Sequence, residues 1–72
     1  MGYYMSRKTG IVRWFNRLKG FGFIQPEEGE SDIFVHYSQI EGEGYRNLFE
    51  GDSVSYEEYD AGKGPQARRV RR

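Results

Sequence analysis

Residues 19–24 of the chain read Lys-Gly-Phe-Gly-Phe-Ile, and residues 33–37 read Ile-Phe-Val-His-Tyr. Because successive side chains of a β-strand point to opposite faces, the two segments send all their rings except Tyr37 to one face and their aliphatic side chains to the other. The ring face would carry Phe21, Phe23, Phe34 and His36. The opposite face would carry Ile24, Ile33 and Val35, which can form a core. Flat rings next to Lys19 suit stacked nucleobases and a phosphate backbone.

The charged residues are segregated along a chain of 72 residues whose net charge is zero. Residues 1–26 and 61–72 carry bases and no acid, whereas all 11 acids lie within residues 27–60. If the two ends fold onto one side, the molecule has a basic face, which favours an anionic partner. The length leaves room for one small domain with a thin core.

The sequence lacks the residues that several classes of function require. The chain has no cysteine and one histidine, so we predict no disulfide, no metal site and no cofactor. The sequence shows no paired nucleophile and base, which argues against an enzyme and a small-molecule substrate. It contains neither an apolar run of about 20 residues nor a signal peptide, so we predict a cytoplasmic protein with no membrane partner.

Five short strands are predicted from β-branched and aromatic runs between glycine-rich turns. They are Lys8–Asn16, 21–25, 32–37, 53–59 and 66–70. Ser38 would cap a single helical turn, and residues 41–49 would form a long connection. No window keeps a period of 3.6 residues, so no long helix is expected. The pattern predicts an all-β fold, a small antiparallel barrel of five strands.

Alternation leaves two positions unresolved. Arg13 and Trp14 are adjacent, so they can share a surface only through a bulge or a strong local twist. Glu58 falls on the same face as Val54 and Tyr56, which is unusual if that face is core. Either the strand has reached solvent by Glu58 or a bulge turns the side chain outward.

Six segments, in order along the chain, match the motifs of one known family. They are residues 10–16, 19–24, 32–37, 42–48, 50–56 and 62–67. The first reads GIVRWFN where the family has G-x-V-K-W-F-N, and the third reads DIFVHY where the family has D-V-F-V-H-F. The chain therefore resembles the bacterial cold-shock proteins, single-domain relatives of the Y-box cold-shock domain. On this resemblance we predict a cold-shock domain at residues 8–70, between a flexible leader (1–7) and a basic end (71–72).

The resemblance implies a five-stranded OB-fold barrel that binds single-stranded RNA and DNA without catalysis. By position in the motifs, the implied binding surface consists of Arg13, Trp14, Lys19, Phe21, Phe23, Phe34, His36, Tyr37 and Tyr45. Lys63 matches the basic residue of the fourth loop, and Asn16 and Asp32 match polar positions that contact base edges. The resemblance also places Trp14 and Tyr37 on the ring face, which alternation alone does not do.

The chain departs from the family pattern at four places. Tyr37 and Tyr45 stand where phenylalanine is usual, which keeps the ring and adds a hydroxyl. Arg13 replaces a lysine and adds a planar group that can itself stack. Glu58 replaces an aliphatic residue, and residues 68–72 are more basic than usual, which would raise the affinity for phosphates.

These features predict an RNA chaperone or a regulator of transcription or translation that acts in cold adaptation, as a monomer or a weak dimer. One alternative is an OB-type module whose ring patch docks a partner protein. An RNA-recognition motif shares the core of residues 19–23, but it needs two helices and an aromatic residue near Pro26 that this sequence lacks.

Overall fold

The structure is a computed structural model that describes residues 7–29, 31–42, 47–60 and 62–72. Five strands form its framework. They are β1 (Lys8–Asn16), β2 (Phe21–Pro26), β3 (Ile33–His36), β4 (Ser53–Asp60) and β5 (Pro65–Arg71). The predicted strands are confirmed with ends displaced by at most one residue, and Arg71, predicted to lie beyond the last strand, belongs to β5.

The strands close into a barrel in the order β1-β2-β3-β5-β4. Four of the neighbouring pairs are antiparallel, and the barrel is closed by a parallel contact between β3 and β5 in which Phe34 lies opposite Gln66. In the described part of the chain, no helix is long and apolar enough to cross a membrane.

The core is formed mainly by side chains on the inward face of each strand, as alternation requires, and Ile40 and Leu48 join it from the chain between β3 and β4. Its buried members are Val12, Ile24, Ile33, Val35, Ile40, Leu48, Val54, Tyr56, Ala67 and Val70, with Phe15 packed against them. The predicted core positions Ile24, Ile33 and Val35 are therefore confirmed. Burial raises the pKa of the Tyr56 hydroxyl above its ordinary value, and the nearby Glu58 carboxylate adds to this rise.

A β-bulge in β1 resolves the position of Trp14. Val12 lies opposite Ile24 but Trp14 lies opposite Phe23, so Arg13 is an extra residue in the ladder. At this point β1 and β2 approach closely, since a Cβ atom on Gly22 would lie 2.2 Å from the Trp14 carbonyl oxygen. The bulge turns Trp14 to the same side as Phe23, and only glycine fits at position 22, opposite Phe15.

Glu58 marks the place where β4 extends beyond its neighbour. β1 begins at Lys8, opposite Tyr56, so on that side the described chain provides no partner for the rest of β4. The Glu58 carboxylate is exposed and lies 3.1 Å from the Lys8 ammonium group. The strand has thus reached solvent by Glu58, the first of the two alternatives left open by alternation.

The single helical turn, a 3₁₀ turn at Tyr37–Gln39, begins one residue before the predicted cap. The Ser38 backbone N–H donates to Nδ1 of His36 at 3.2 Å, so His36 is the N-cap and the prediction of Ser38 as the cap is wrong. An imidazole nitrogen two residues before the amide can accept this bond as a serine oxygen would, which the usual capping preferences do not reveal.

Candidate nucleic-acid interface

Four aromatic side chains from β1, β2 and β3 lie next to one another on the outer surface of the barrel. We call this surface the ring face, and its first members are Trp14, Phe21, Phe23 and Phe34. The register explains the arrangement, because Phe23 lies opposite both Trp14 and Phe34. The centroid distances between neighbouring rings run from 5.5 Å for Trp14–Phe23 to 5.8 Å for Phe21–Phe34 and Phe23–Phe34. The rings therefore support one another at distances typical of aromatic pairs.

The ring face is open to solvent although its members are large and apolar. Trp14 is 43% exposed, and the three phenylalanines are half-buried. Edge-to-face contacts such as Trp14–Phe21, with 69° between the ring planes, leave parts of the π-faces uncovered. A contiguous open patch of this kind is uncommon on a monomeric protein and indicates a binding surface.

His36 and Tyr37 extend the ring face at the end of β3. His36 lies opposite Phe21 in the ladder, and its ring centroid is 4.8 Å from that of Tyr37. Tyr37 is 47% exposed and packs on Gly20, where a Cβ atom would lie 2.7 Å from the tyrosine ring. Gly20 also has a φ of 77°, which favours glycine. The tyrosine thus needs this glycine in the turn before β2.

The hydrogen bonds of His36 select its tautomer. Nδ1 accepts the Ser38 backbone N–H and lies 2.9 Å from the Ser38 hydroxyl oxygen. The neutral ring therefore carries its proton on Nε2, which can donate to an acceptor on a base edge.

The polar residues predicted for the site have structural partners of their own. Nε of Arg13 lies 3.0 Å from Oδ2 and 3.1 Å from Oδ1 of Asp32, so the two side chains form an ion pair beside the rings. Oδ1 of Asn16 accepts the Lys19 backbone N–H at 2.9 Å and stabilises the turn between β1 and β2. Lys19 is exposed, and the Asn16 amide NH₂ group can donate hydrogen bonds in addition to the one that its oxygen accepts.

Lys63 lies at the other margin of the ring face. It lines a shallow groove together with Phe23, Phe34 and Gln66. Ring contacts, ladder positions, hydrogen bonds and the groove thus link nine of the twelve predicted residues to the ring face, and Arg13 and Asp32 are paired with each other. Tyr45, the twelfth, lies outside the described residues.

Two residues beside the groove were missed by reasoning from the sequence. Gln66 lies opposite Phe34 across the parallel closure, and the Tyr59 hydroxyl donates to Oε1 of Gln66 at 2.9 Å. Gln66 lies in the matched segment 62–67, so its motif position was a usable signal. Tyr59 offered no such signal, because its approach to the site depends on barrel closure.

A closed five-stranded barrel with an open aromatic face is the architecture of an OB-type binding protein. Comparison with known proteins narrows this class. A model of the 'Cold-shock' DNA-binding domain family matches residues 8–72. The cold shock-like protein CspLB of Listeria monocytogenes is 56% identical over 63 residues, which cover 88% of this chain and 94% of that one. The cold shock-like protein CspB of Escherichia coli is 52% identical over 67 residues, covering 92% and 94%.

The fold has a counterpart among solved structures. Drosophila Unr CSD456 matches with a TM-score of 0.78 and 22% identity, over 93% of this chain and 26% of that one. At this identity the likeness concerns the fold alone. The family match and the two relatives show that the chain belongs to the cold-shock domain family, whose members are non-catalytic nucleic-acid-binding proteins.

Proposed function

We propose that the ring face binds single-stranded RNA and DNA by stacking bases on its rings, with phosphate contacts from the basic residues at its margin. The observation that carries this proposal is the open patch itself, in which Trp14 is 43% exposed while it contacts Phe21 and Phe23. Stacking on such rings contributes about 1–3 kcal/mol per base and accepts every base, so sequence preference is mild. His36, Asn16 and Asp32 supply the polar groups that contact base edges.

Selective binding of unpaired strands makes the protein an RNA chaperone without an energy source. Bases in a duplex have no free face for the rings, so the protein binds the open form of a hairpin and shifts the equilibrium toward it by mass action. The sequence contains no Gly-x-x-x-x-Gly-Lys-Ser/Thr loop for ATP. Low temperature stabilises hairpins, so this activity serves cold adaptation and the control of transcription or translation. The protein acts in the cytoplasm, as a monomer or a weak dimer.

A titration followed by tryptophan fluorescence tests the proposal, because Trp14 is the one tryptophan of the chain. Hexathymidine and hexauridine are expected to quench the indole, whereas a blunt duplex of the same length leaves the emission unchanged. Absence of quenching by both oligonucleotides, or equal binding of the duplex, contradicts the proposal. Capture of a protein partner through the ring face would then become the better explanation of the patch.

A further inference from the structure

The basic side chains of the barrel differ in whether an acid lies beside them. Most of the lysines and arginines that the structure describes lie within ion-pair distance of a carboxylate. The exceptions in this part of the chain are Arg17, Lys19 and Lys63. Lys19 and Lys63 already belong to the proposed binding surface. Arg17 remains, and neither alternation nor the family motifs give it a role.

Arg17 lies in the turn that joins β1 to β2, next to one end of the ring face. Asn16, the residue before it, lies opposite Phe21 in the ladder. The Gly20 backbone N–H donates to the Asn16 carbonyl oxygen at 2.7 Å, and the Lys19 backbone N–H donates to Oδ1 of Asn16 at 2.9 Å. These two hydrogen bonds close the turn and hold the Arg17 backbone beside the strand ends that carry the ring of Phe21.

The Arg17 side chain contacts an aromatic ring from a different part of the chain. Its guanidinium carbon lies 5.5 Å from the centroid of the Phe49 ring, a distance typical of cation–π contacts. Phe49 is 48% exposed and does not belong to the core. Its backbone is fixed by Asp52, whose Oδ2 accepts the Phe49 N–H at 3.0 Å and whose N–H donates to the Phe49 carbonyl oxygen at 3.0 Å. A closed turn therefore presents this exposed ring to the arginine.

A second arginine on the same ring differs from Arg17 in having an acid. The Arg72 guanidinium carbon lies 5.7 Å from the Phe49 centroid, and Nε of Arg72 lies 3.3 Å from Oδ2 of Asp52. Among the described residues, Arg17 has the ring contact without such a carboxylate. A ring face orients a guanidinium without neutralising it and without accepting its in-plane N–H bonds. Arg17 therefore keeps these donors for an anionic ligand.

We propose that Arg17 contacts a phosphate of the single strand whose bases stack on the ring face, and that Phe49 is the positioning residue that holds the guanidinium there. A guanidinium suits this role because its paired N–H groups match the spacing of phosphate oxygens. The strand then meets a cation at each end of the rings, Lys63 beside Phe34 and Arg17 beside Phe21. This inference rests on the proposed function and extends its site to two positions, 17 and 49, that lie between the matched motif segments.

The first test compares R17Q with R72Q, which remove the same charge from the same aromatic ring. One phosphate contact with a single strand changes affinity by about fivefold at ~0.1 M salt. R17Q should therefore bind hexathymidine about fivefold more weakly, and the slope of log affinity against log salt should fall by about 0.7. R72Q should stay within about twofold of the unmodified protein, with the same slope. Both side chains are exposed, so the fold should be kept, and thermal unfolding checks this. Equal losses in the two variants, or an unchanged slope in R17Q, would overturn the inference.

The second test asks whether Phe49 acts through Arg17. F49L removes the ring and keeps an apolar side chain, and an exposed cation–π contact changes an equilibrium by about two- to fivefold. F49L should therefore lower the affinity for hexathymidine about threefold in the unmodified protein and should cause no further loss in a protein that carries R17Q. A merely structural role of Phe49 would give the same loss in both backgrounds, and that result, or no loss in either, would reject the positioning role. If the unmodified protein fails to bind hexathymidine, the proposed function has failed instead, so the two failures are distinguishable.

Discussion

The two faces of β2 and β3 are made from alternate residues of the same short segments, yet one face is buried in the core and the other is open to solvent. Ile24 and Val35 are fully buried, whereas Phe23 and Phe34, their neighbours in sequence, stay half-open. On most sheets the larger rings would be the buried set, because they remove more apolar surface from water. Here the smaller aliphatic side chains make the core and the rings are left outside. Stability and binding are thus assigned to different residues, so mutations can separate them.

The largest effect of a mutation is expected on the buried face of β2, where it lowers the free energy of unfolding. Ile24→Ala removes buried methyl groups and leaves a cavity, so the free energy of unfolding should fall by about 2–5 kcal/mol. Urea unfolding measures this loss, and oligonucleotide affinity under conditions where the variant is folded should stay within about twofold. A loss below about 1 kcal/mol would show that the core depends little on this side chain. A comparable loss of affinity in the folded variant would show that the two faces are not separable.

The outer face should show the reverse response. Phe34→Ala removes a stacking ring and should lower the affinity for hexathymidine by about tenfold or more. Phe34 has no ring contact with Trp14, whose ring neighbours are Phe21 and Phe23, so the fluorescence reporter keeps its surroundings. The unfolding free energy should change by less than in Ile24→Ala, since the ring is only half-buried. Unchanged titrations would reject stacking at this position.

A smaller effect is expected at the margin of the ring face. Lys63 lines the groove beside Phe23 and Phe34, where it can reach a phosphate of a stacked strand. The logarithm of affinity for hexathymidine should fall against the logarithm of salt with a slope of about two to four, and Lys63→Gln should reduce this slope by about 0.7. Lys8→Gln is the matched control, because Lys8 is paired with Glu58 and lies opposite Tyr56 in β1, away from the groove. An unchanged slope in Lys63→Gln would show that this lysine does not touch the backbone.

Local patterns predicted the two faces but not the contacts that join distant strands. Alternation correctly predicted Phe23 and Phe34 on the outer face and Ile24 and Ile33 in the core, because these positions depend only on the period of a strand. It failed at Trp14, where a bulge shifts the register, and the family motif supplied the position instead. Tyr59 lies opposite Gln66 in the β4–β5 hairpin, but both reach the ring face only because the parallel closure of β3 on β5 sets Gln66 opposite Phe34, which no local signal in the sequence reports.

The cap at His36 was missed for a different reason. Capping preferences reflect hydroxyl and carboxylate oxygens, whereas the acceptor here is a ring nitrogen whose position depends on the end of β3. His36 also belongs to the family motif at residues 32–37. Its Nδ1 atom accepts the hydrogen bond that caps the turn, and its Nε2 atom remains for the proposed ligand. Sequence patterns assign one role to a residue at a time, and this position has two.

The smallest effect of a mutation on stability is expected outside the ring face, at the pair formed by Glu41 and Arg71. A hydrogen bond from Arg71 holds the pKa of the Glu41 carboxyl below its ordinary value. A carboxyl with a lowered pKa in the folded state stabilises the fold above its unfolded pKa, and this contribution is lost as the pH falls through the folded value. Glu41→Gln should therefore unfold at slightly lower urea concentrations at neutral pH, and the difference from the unmodified protein should shrink as the pH falls below the ordinary pKa of a glutamate and through the lowered folded value. Hexathymidine affinity at neutral pH should be the same in both proteins. A difference that grows as the pH falls would contradict the assignment of this pair, and a change in affinity would show that the pair and the ring face are coupled.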